Sequence, residues 1–201
     1  GMMTTVIPEF KLPQASVRAD IARIEALGAE IKTNVTIGKD LPVSQLLETY
    51  NAILVAIGCQ KPASLTIPGS NLKGIYSALS LLKDVKSGKK IRFEGKTVVI
   101  IGGGDTAMDA ARTAVRLGAC NVRVTCLESG KTMPAHSWER EKAEQEGAII
   151  NPSLAPRRFT SRDSRKVSGI DFKRVAHTET DASGKVRWVL AEGADSEVKM
   201  D

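Results

Sequence analysis

The chain has 201 residues, 42% of them hydrophobic and 26% charged, with a formal net charge of +6. At roughly 100–200 residues per domain this suits one full domain or one and a half, and the composition excludes a disordered chain. The longest apolar runs, such as Val98 to Ile101, fall far short of the roughly 20 residues that a membrane-spanning helix needs, and no secretory leader is expected.

In chain order, Val17, Ile21, Ile24 and Leu27 recur at helical spacing, which predicts a helix over 14–27 ended by Gly28. Residues 29–37 read as a strand, 42–50 as a short helix, and the continuous apolar run 52–57 as a strand buried on both faces. The Pro- and Gly-rich stretch 61–74 is a linker, followed by a helix over 76–85. A regular alternation then begins: strand 97–101, helix 105–117, strand 121–127, helix 137–146 and strand 148–150. Strand alternating with helix is the pattern of a parallel sheet with helices on its faces. Beyond Pro152 the character changes, and 167–175 with 186–190 read as antiparallel strands joined across 181–184.

Cys59, Cys120 and Cys126 are an odd number without CxxC spacing. That excludes a disulfide framework, a local zinc site and a CxxC redox pair, and points to a reducing cytoplasm. Positive charge gathers at Lys83, Lys86, Lys89, Lys90 and Arg92, and again between Arg157 and Arg174. Only Phe93, Phe159 and Phe172 interleave there, so no nucleic-acid platform is expected and the clusters read as solvated or partner-facing surface.

The most informative segment is Gly102-Gly103-Gly104-Asp105-Thr106-Ala107, a GxGxxA directly after an apolar strand and directly before a helix. Gly102 allows a tight turn, Gly104 lets backbone approach a pyrophosphate, and Ala107 permits close packing of helix on strand. The helix N-terminus would present free N–H groups and partial positive charge to the phosphates. A turn that merely reverses the chain is the alternative reading.

Glu128, 24 positions beyond Gly104, lies near the roughly 20-residue offset at which an acid receives ribose hydroxyls. With Ser129 beside it, this spacing predicts NAD(H) in preference to NADP(H), the alternative being a solvated loop acid. Gly130-Lys131-Thr132 imitates the end of a P-loop, but Thr125 occupies the place of its earlier glycine. His136 reads as a surface histidine that could otherwise approach a cofactor. No catalytic acid, base or nucleophile and no metal ligand is assigned.

A wider set of residues carries a resemblance. It comprises Ile7-Pro8-Glu9-Phe10-Lys11-Leu12-Pro13, Ile24 to Gly28, Ile37 to Asp40, Ala56-Ile57-Gly58, Ile67-Pro68-Gly69, Gly102 to Asp109 with Ala111-Arg112, and Met133-Pro134-Ala135. In these the chain resembles the NAD(P)H-dependent FAD oxidoreductase family typified by the glutamate synthase small (beta) subunit.

The resemblance implies an α/β fold, a Rossmann-like three-layer nucleotide-binding domain in which a parallel sheet with helices meets an antiparallel β-meander. It implies a division into a partial FAD-binding-type domain over 1–75 and an NAD(P)-binding domain over 76–201. The chemistry implied is hydride transfer from NAD(P)H to FAD and onward electron transfer to iron–sulfur partners, with Asp105 and Thr106 near the nicotinamide side. The basic pair of many members aligns with Leu127 and Glu128, a departure that again favours NADH. The FAD fingerprint of the family lies upstream of Ile7, so FAD is expected only in a longer parent, and turnover is not expected of this chain alone. A non-catalytic Rossmann-like module docking an acidic partner subunit is the alternative.

Overall fold

A computed structural model of the chain describes residues 1–62, 64–181, 186–193 and 197–200. The first part is helical: α1 (Met2–Thr5), α2 (Gln14–Ala26), α3 (Val43–Thr49) and α4 (Ala78–Lys86). The strands expected over 29–37 and 52–57 do not form, apart from one isolated bridge between Ile37 and Leu41. An apolar run becomes a strand only when a neighbour takes its backbone N–H and C=O groups. No described segment pairs with 52–57, and Leu54 is left 91% exposed.

The alternation from residue 97 onward is present as expected. It runs β1 (Thr97–Ile101), α5 (Asp105–Arg116), β2 (Asn121–Thr125), α6 (Ser137–Gln145) and β3 (Ala148–Asn151). The three strands form a parallel sheet in the order β1-β2-β3, with Val98 opposite Val122 and Val122 opposite Ala148. A second sheet is antiparallel. In it β5 (Gly169–Thr180) pairs with β4 (Leu154–Thr160), β6 (Val186–Leu190) and β7 (Glu197–Met200).

Strand β4 was not expected, because Pro156 and the Arg157-Arg158 pair break its apolar pattern; the register shifts between Pro156 and Arg158. The turn expected at 181–184 lies outside the described residues beyond Asp181.

Period-two alternation in β1 makes three layers of these parts. Val98 and Ile100 pack on the core formed with Leu81, Met108, Ala111, Ala114, Val122 and Val124. Val99 and Ile101 face the other way, onto Leu154, Ile170, Phe172 and Met200 of the meander. The alanines of α5 keep that helix close to the sheet, and Met108, Ala111 and Ala114 are wholly buried. The fold is therefore α/β and Rossmann-like, with helices, parallel sheet and meander stacked in that order. No helix of the described residues is long and apolar enough to cross a membrane.

The first basic cluster is not all solvated surface. Lys86 is 9% exposed at its side chain, and its ammonium donates to the carbonyls of Met3 and Ile7, so it ties α4 to the N-terminal segment. Lys89 and Arg92 lie outward, near Asp84 and Glu94.

Candidate nucleotide site at the glycine turn

The turn between β1 and α5 is built by three glycines with three different physical reasons. Gly102 has φ +135°, a conformation that L side chains rarely adopt, and its N–H donates to Thr125 O at 2.8 Å, extending the β1–β2 ladder. Gly103 is held against the end of β2: a Cβ there would stand 2.9 Å from Cys126 Cβ and 3.3 Å from Glu128 Oε2. Gly104 is different, for nothing lies within 4 Å of the position a Cβ would take. The chain's own packing does not demand a glycine there, and the space above it is open.

Gly104 is also the N-cap of α5, and no side chain caps that helix. The first backbone bonds into the helix run from Ala107 N and Met108 N to Gly104 O, at 2.9 and 3.3 Å. The Asp105 and Thr106 amides are the first donors of the helix, which have no acceptor within it. Thr106 is exposed and Ala107 buried, with Ala107 Cβ 3.9 Å from where a Gly102 Cβ would be. Open space at Gly104, a helix start with no side-chain cap and the positive end of a 12-residue helix fit the pyrophosphate of a dinucleotide.

The loop from β2 to α6 folds back over this turn. Ala135 N donates to Gly103 O at 2.8 Å, and His136 N donates to Asp105 Oδ1 at 3.0 Å. The His136 ring completes the attachment, with Nδ1 2.7 Å from Asp105 Oδ2. Burial acts to raise the Asp105 carboxyl, but the bonds from His136 outweigh it and hold the group below its ordinary value. His136 is thus exposed, as expected of it, yet it belongs to the site. Its partner is 31 positions away, a distance no sequence pattern discloses.

At the mouth of β2, Glu128 is partly buried against Gly103, while Ser129 is exposed and turned to Thr132, with the two hydroxyl oxygens 2.9 Å apart. Cys126 lies beneath them; burial, joined by the Glu128 carboxylate, pushes its thiol up to about 11. Arg140 of α6 reaches back and donates from Nη1 to Gly130 O at 2.5 Å, and Lys131 is exposed on the same loop. Glu128 therefore does not set the charge at this end alone.

Behind the turn, charges are buried in a connected set that the sequence reading missed. Lys11 Nζ lies 3.3 Å from Glu139 Oε1 and bonds Asp109, while Arg112 bonds Glu146 through Nε at 2.9 Å. Arg112 and Arg116 stack on the Phe10 ring, at 4.5 and 4.3 Å from its centroid. Asp109, Arg112 and Glu139 are each at most 7% exposed. These contacts of Phe10, Lys11, Asp109 and Arg112 fasten the segment before α2 to the helix that carries the site.

The chain is 33% identical over its whole length to the glutamate synthase [NADPH] small chain of Halomonas elongata, spanning 44% of that protein. It is 31% identical, again over its whole length, to the NADPH-Fe(3+) oxidoreductase subunit beta of Geobacter sulfurreducens, spanning 30% of it. The chain thus spans less than half the length of these relatives. Among solved structures, FprA from Mycobacterium tuberculosis in complex with NADPH matches in fold, with a TM-score of 0.74 at 16% identity, covering 100% of this chain and 59% of that one.

The two relatives matched in sequence overturn the expected preference for NAD(H), since both carry NADPH in their names. The spacing argument set Glu128 against Arg123 and Lys131 but left out Arg140, which reaches the same loop from α6 and bonds Gly130 O. The model of the family described as pyridine nucleotide-disulphide oxidoreductase matches residues 16–187, and the chain belongs to that oxidoreductase family.

Proposed function

We propose that the chain is the NADP(H)-binding part of a flavin-dependent oxidoreductase of the glutamate synthase small-subunit type. Residues 76–201 form the nucleotide-binding domain in this reading, and residues 1–75 contribute to an FAD-type domain. The observation that carries it is the open space above Gly104 at the uncapped start of α5, inside a strand–turn–helix of Rossmann geometry.

The pyrophosphate is received by the backbone of Gly102, Gly103, Gly104, Asp105 and Thr106, with Ala107 keeping the helix close enough to serve. Glu128 and Ser129 border the ribose end, where Lys131 and Arg140 supply the positive charge a 2′-phosphate needs. FAD, held by the longer protein, accepts the hydride of the reduced nicotinamide and passes electrons singly to iron–sulfur partners. The role of this chain is to bind and orient, and none of its side chains is assigned as acid or base. The three free cysteines suit a cytoplasmic protein.

Isothermal calorimetry tests the reading. NADPH is expected to bind, more tightly than NADH, and Gly104→Val to abolish binding by filling the open space. Absence of heat with NADPH would overturn it and leave the docking-module alternative.

A further inference from the structure

Two backbone bonds carry the β2–α6 loop past the open space at Gly104. Ala135 N donates to Gly103 O at 2.8 Å and His136 N to Asp105 Oδ1 at 3.0 Å, so residues 135 and 136 run alongside residues 103–105. The His136 side chain, 55% exposed, therefore borders the start of α5, where no side chain caps the helix. Its two ring nitrogens differ: Nδ1 lies 2.7 Å from Asp105 Oδ2, whereas Nε2 bonds nothing among the described residues.

A carboxylate partner keeps a proton on Nδ1, and in the neutral ring Nε2 is then a bare lone pair. A lone pair repels an anion; an N–H on a charged ring attracts one. Asp105 sharpens the contrast, because its carboxylate sets a negative charge in the first turn of the helix that would hold the pyrophosphate. With a neutral imidazole the Asp105–His136 pair carries one negative charge, and with an imidazolium it carries none. Asp105 is the charged group of α5 in contact with the ring, and Lys11 acts on that carboxylate from the N-terminal segment. On α6, Glu139 and Arg140 donate their amides to His136 O, but their side chains turn to Lys11 and Arg112 and to Gly130 O. Trp138 covers the ring with an uncharged face, at 4.3 Å between centroids. Earlier on the loop, Glu128 lies against Gly103 and Lys131 is exposed.

We infer that His136 binds the pyrophosphate as an imidazolium, so that the dinucleotide takes up a proton as it binds. The inference rests on the nucleotide reading above and deepens it. The proton comes from solvent, is held on Nε2 while the anion is bound, and returns to solvent when the nucleotide leaves. No covalent bond of the nucleotide changes. His136 is a binding residue in this arrangement, and its charge offsets that of Asp105 at the moment the anion arrives.

Calorimetry of NADPH binding at pH 7, repeated in buffers of different ionisation heat, counts that proton. The parent is expected to take up a larger fraction of a proton than His136→Gln. Its affinity is expected to fall about three- to tenfold more than the variant's between pH 6 and pH 8. The 2′-phosphate titrates in the same range but enters both measurements alike. The chain has two histidines, so His177→Gln leaves His136 as the sole imidazole for proton NMR. Its titration midpoint is expected to move up in saturating NADPH. Equal proton uptake by parent and His136→Gln, or a midpoint that does not move, would overturn the assignment while leaving the nucleotide site intact. A loss of affinity in His136→Gln that is the same at every pH would reduce the residue to a prop for Asp105 and overturn it likewise. A parent that gives no heat with NADPH would overturn the nucleotide reading itself.

Discussion

Lys11 Nζ lies 3.1 Å from Asp109 Oδ1, an ion pair between residues 98 positions apart that ties the chain's first segment to the second turn of α5. Burial drives the Asp109 carboxyl above its ordinary value, while Lys11, despite its own partial burial, is raised above 10.5 by Asp109 and Glu139. Below pH 10.5 the ammonium's contribution to stability is fully present, and it is lost as pH rises through the higher folded value.

Removing Arg112 exposes the cost of the same buried set. Its guanidinium serves Glu146 at 2.8 Å and stands 3.5 Å from Glu139, whose side chain is 6% exposed. Arg112→Met is expected to cost about 1.5–3 kcal/mol, because it removes charged bonds and leaves Glu139 with Lys11 and Glu146 with Arg116 as the remaining counter-charge. Urea unfolding measures this; a loss under about 1 kcal/mol would mean that the carboxylates find water or another cation.

The glycines of the turn should separate by kind. Gly103→Ala forces a Cβ to within 2.9 Å of Cys126 Cβ and should cost about 1–3 kcal/mol in the same measurement. Gly104→Ala meets nothing within 4 Å and should change stability by about 0.5 kcal/mol or less. Equal destabilisation by the two would contradict the geometry of the turn.

Thiol chemistry offers a count. Cys59 and Cys120 are exposed, whereas Cys126 is buried with its thiol pushed up to about 11. A disulfide reagent at neutral pH should titrate two thiols quickly in the folded protein and the third only after denaturation. Three fast thiols would place Cys126 in solvent.

Acid should release the loop over the turn. The folded value of Asp105 lies below 3.8, so its ionised form contributes stability that is present above pH 3.8 and lost as pH falls through the lower folded value. A stability gap between the parent and Asp105→Asn should be open above pH 3.8 and close below it, followed by urea midpoints. A gap unchanged through that window would assign the bond's effect to some other group.

The sequence and the structure agree where the information is local. The alternation from Thr97 onward and the GxGxxA turn each depend on neighbours within a few residues, and both took the form their pattern requires. Residues 52–57 mislead because a strand is a property of two segments, and the pairing segment is not encoded in the run itself. Strand β4 was hidden for the converse reason: Pro156, Arg157 and Arg158 spoil the apolar pattern, yet β5 supplies a partner. His136 and Lys86 read as surface residues because their contacts, to Asp105 and to the carbonyls of Met3 and Ile7, join distant positions. Glu128 misled by being judged without Arg140, which arrives from α6.

The two-faced packing of β1 bears on how the protein comes apart. Val98 and Ile100 are bound into one core and Val99 and Ile101 into the other, so neither core can open along this strand without loosening the other. The helical layer and the meander are thereby coupled into one cooperative unit. The β1 amides that bond to β2 are expected to exchange with solvent only when that whole unit opens.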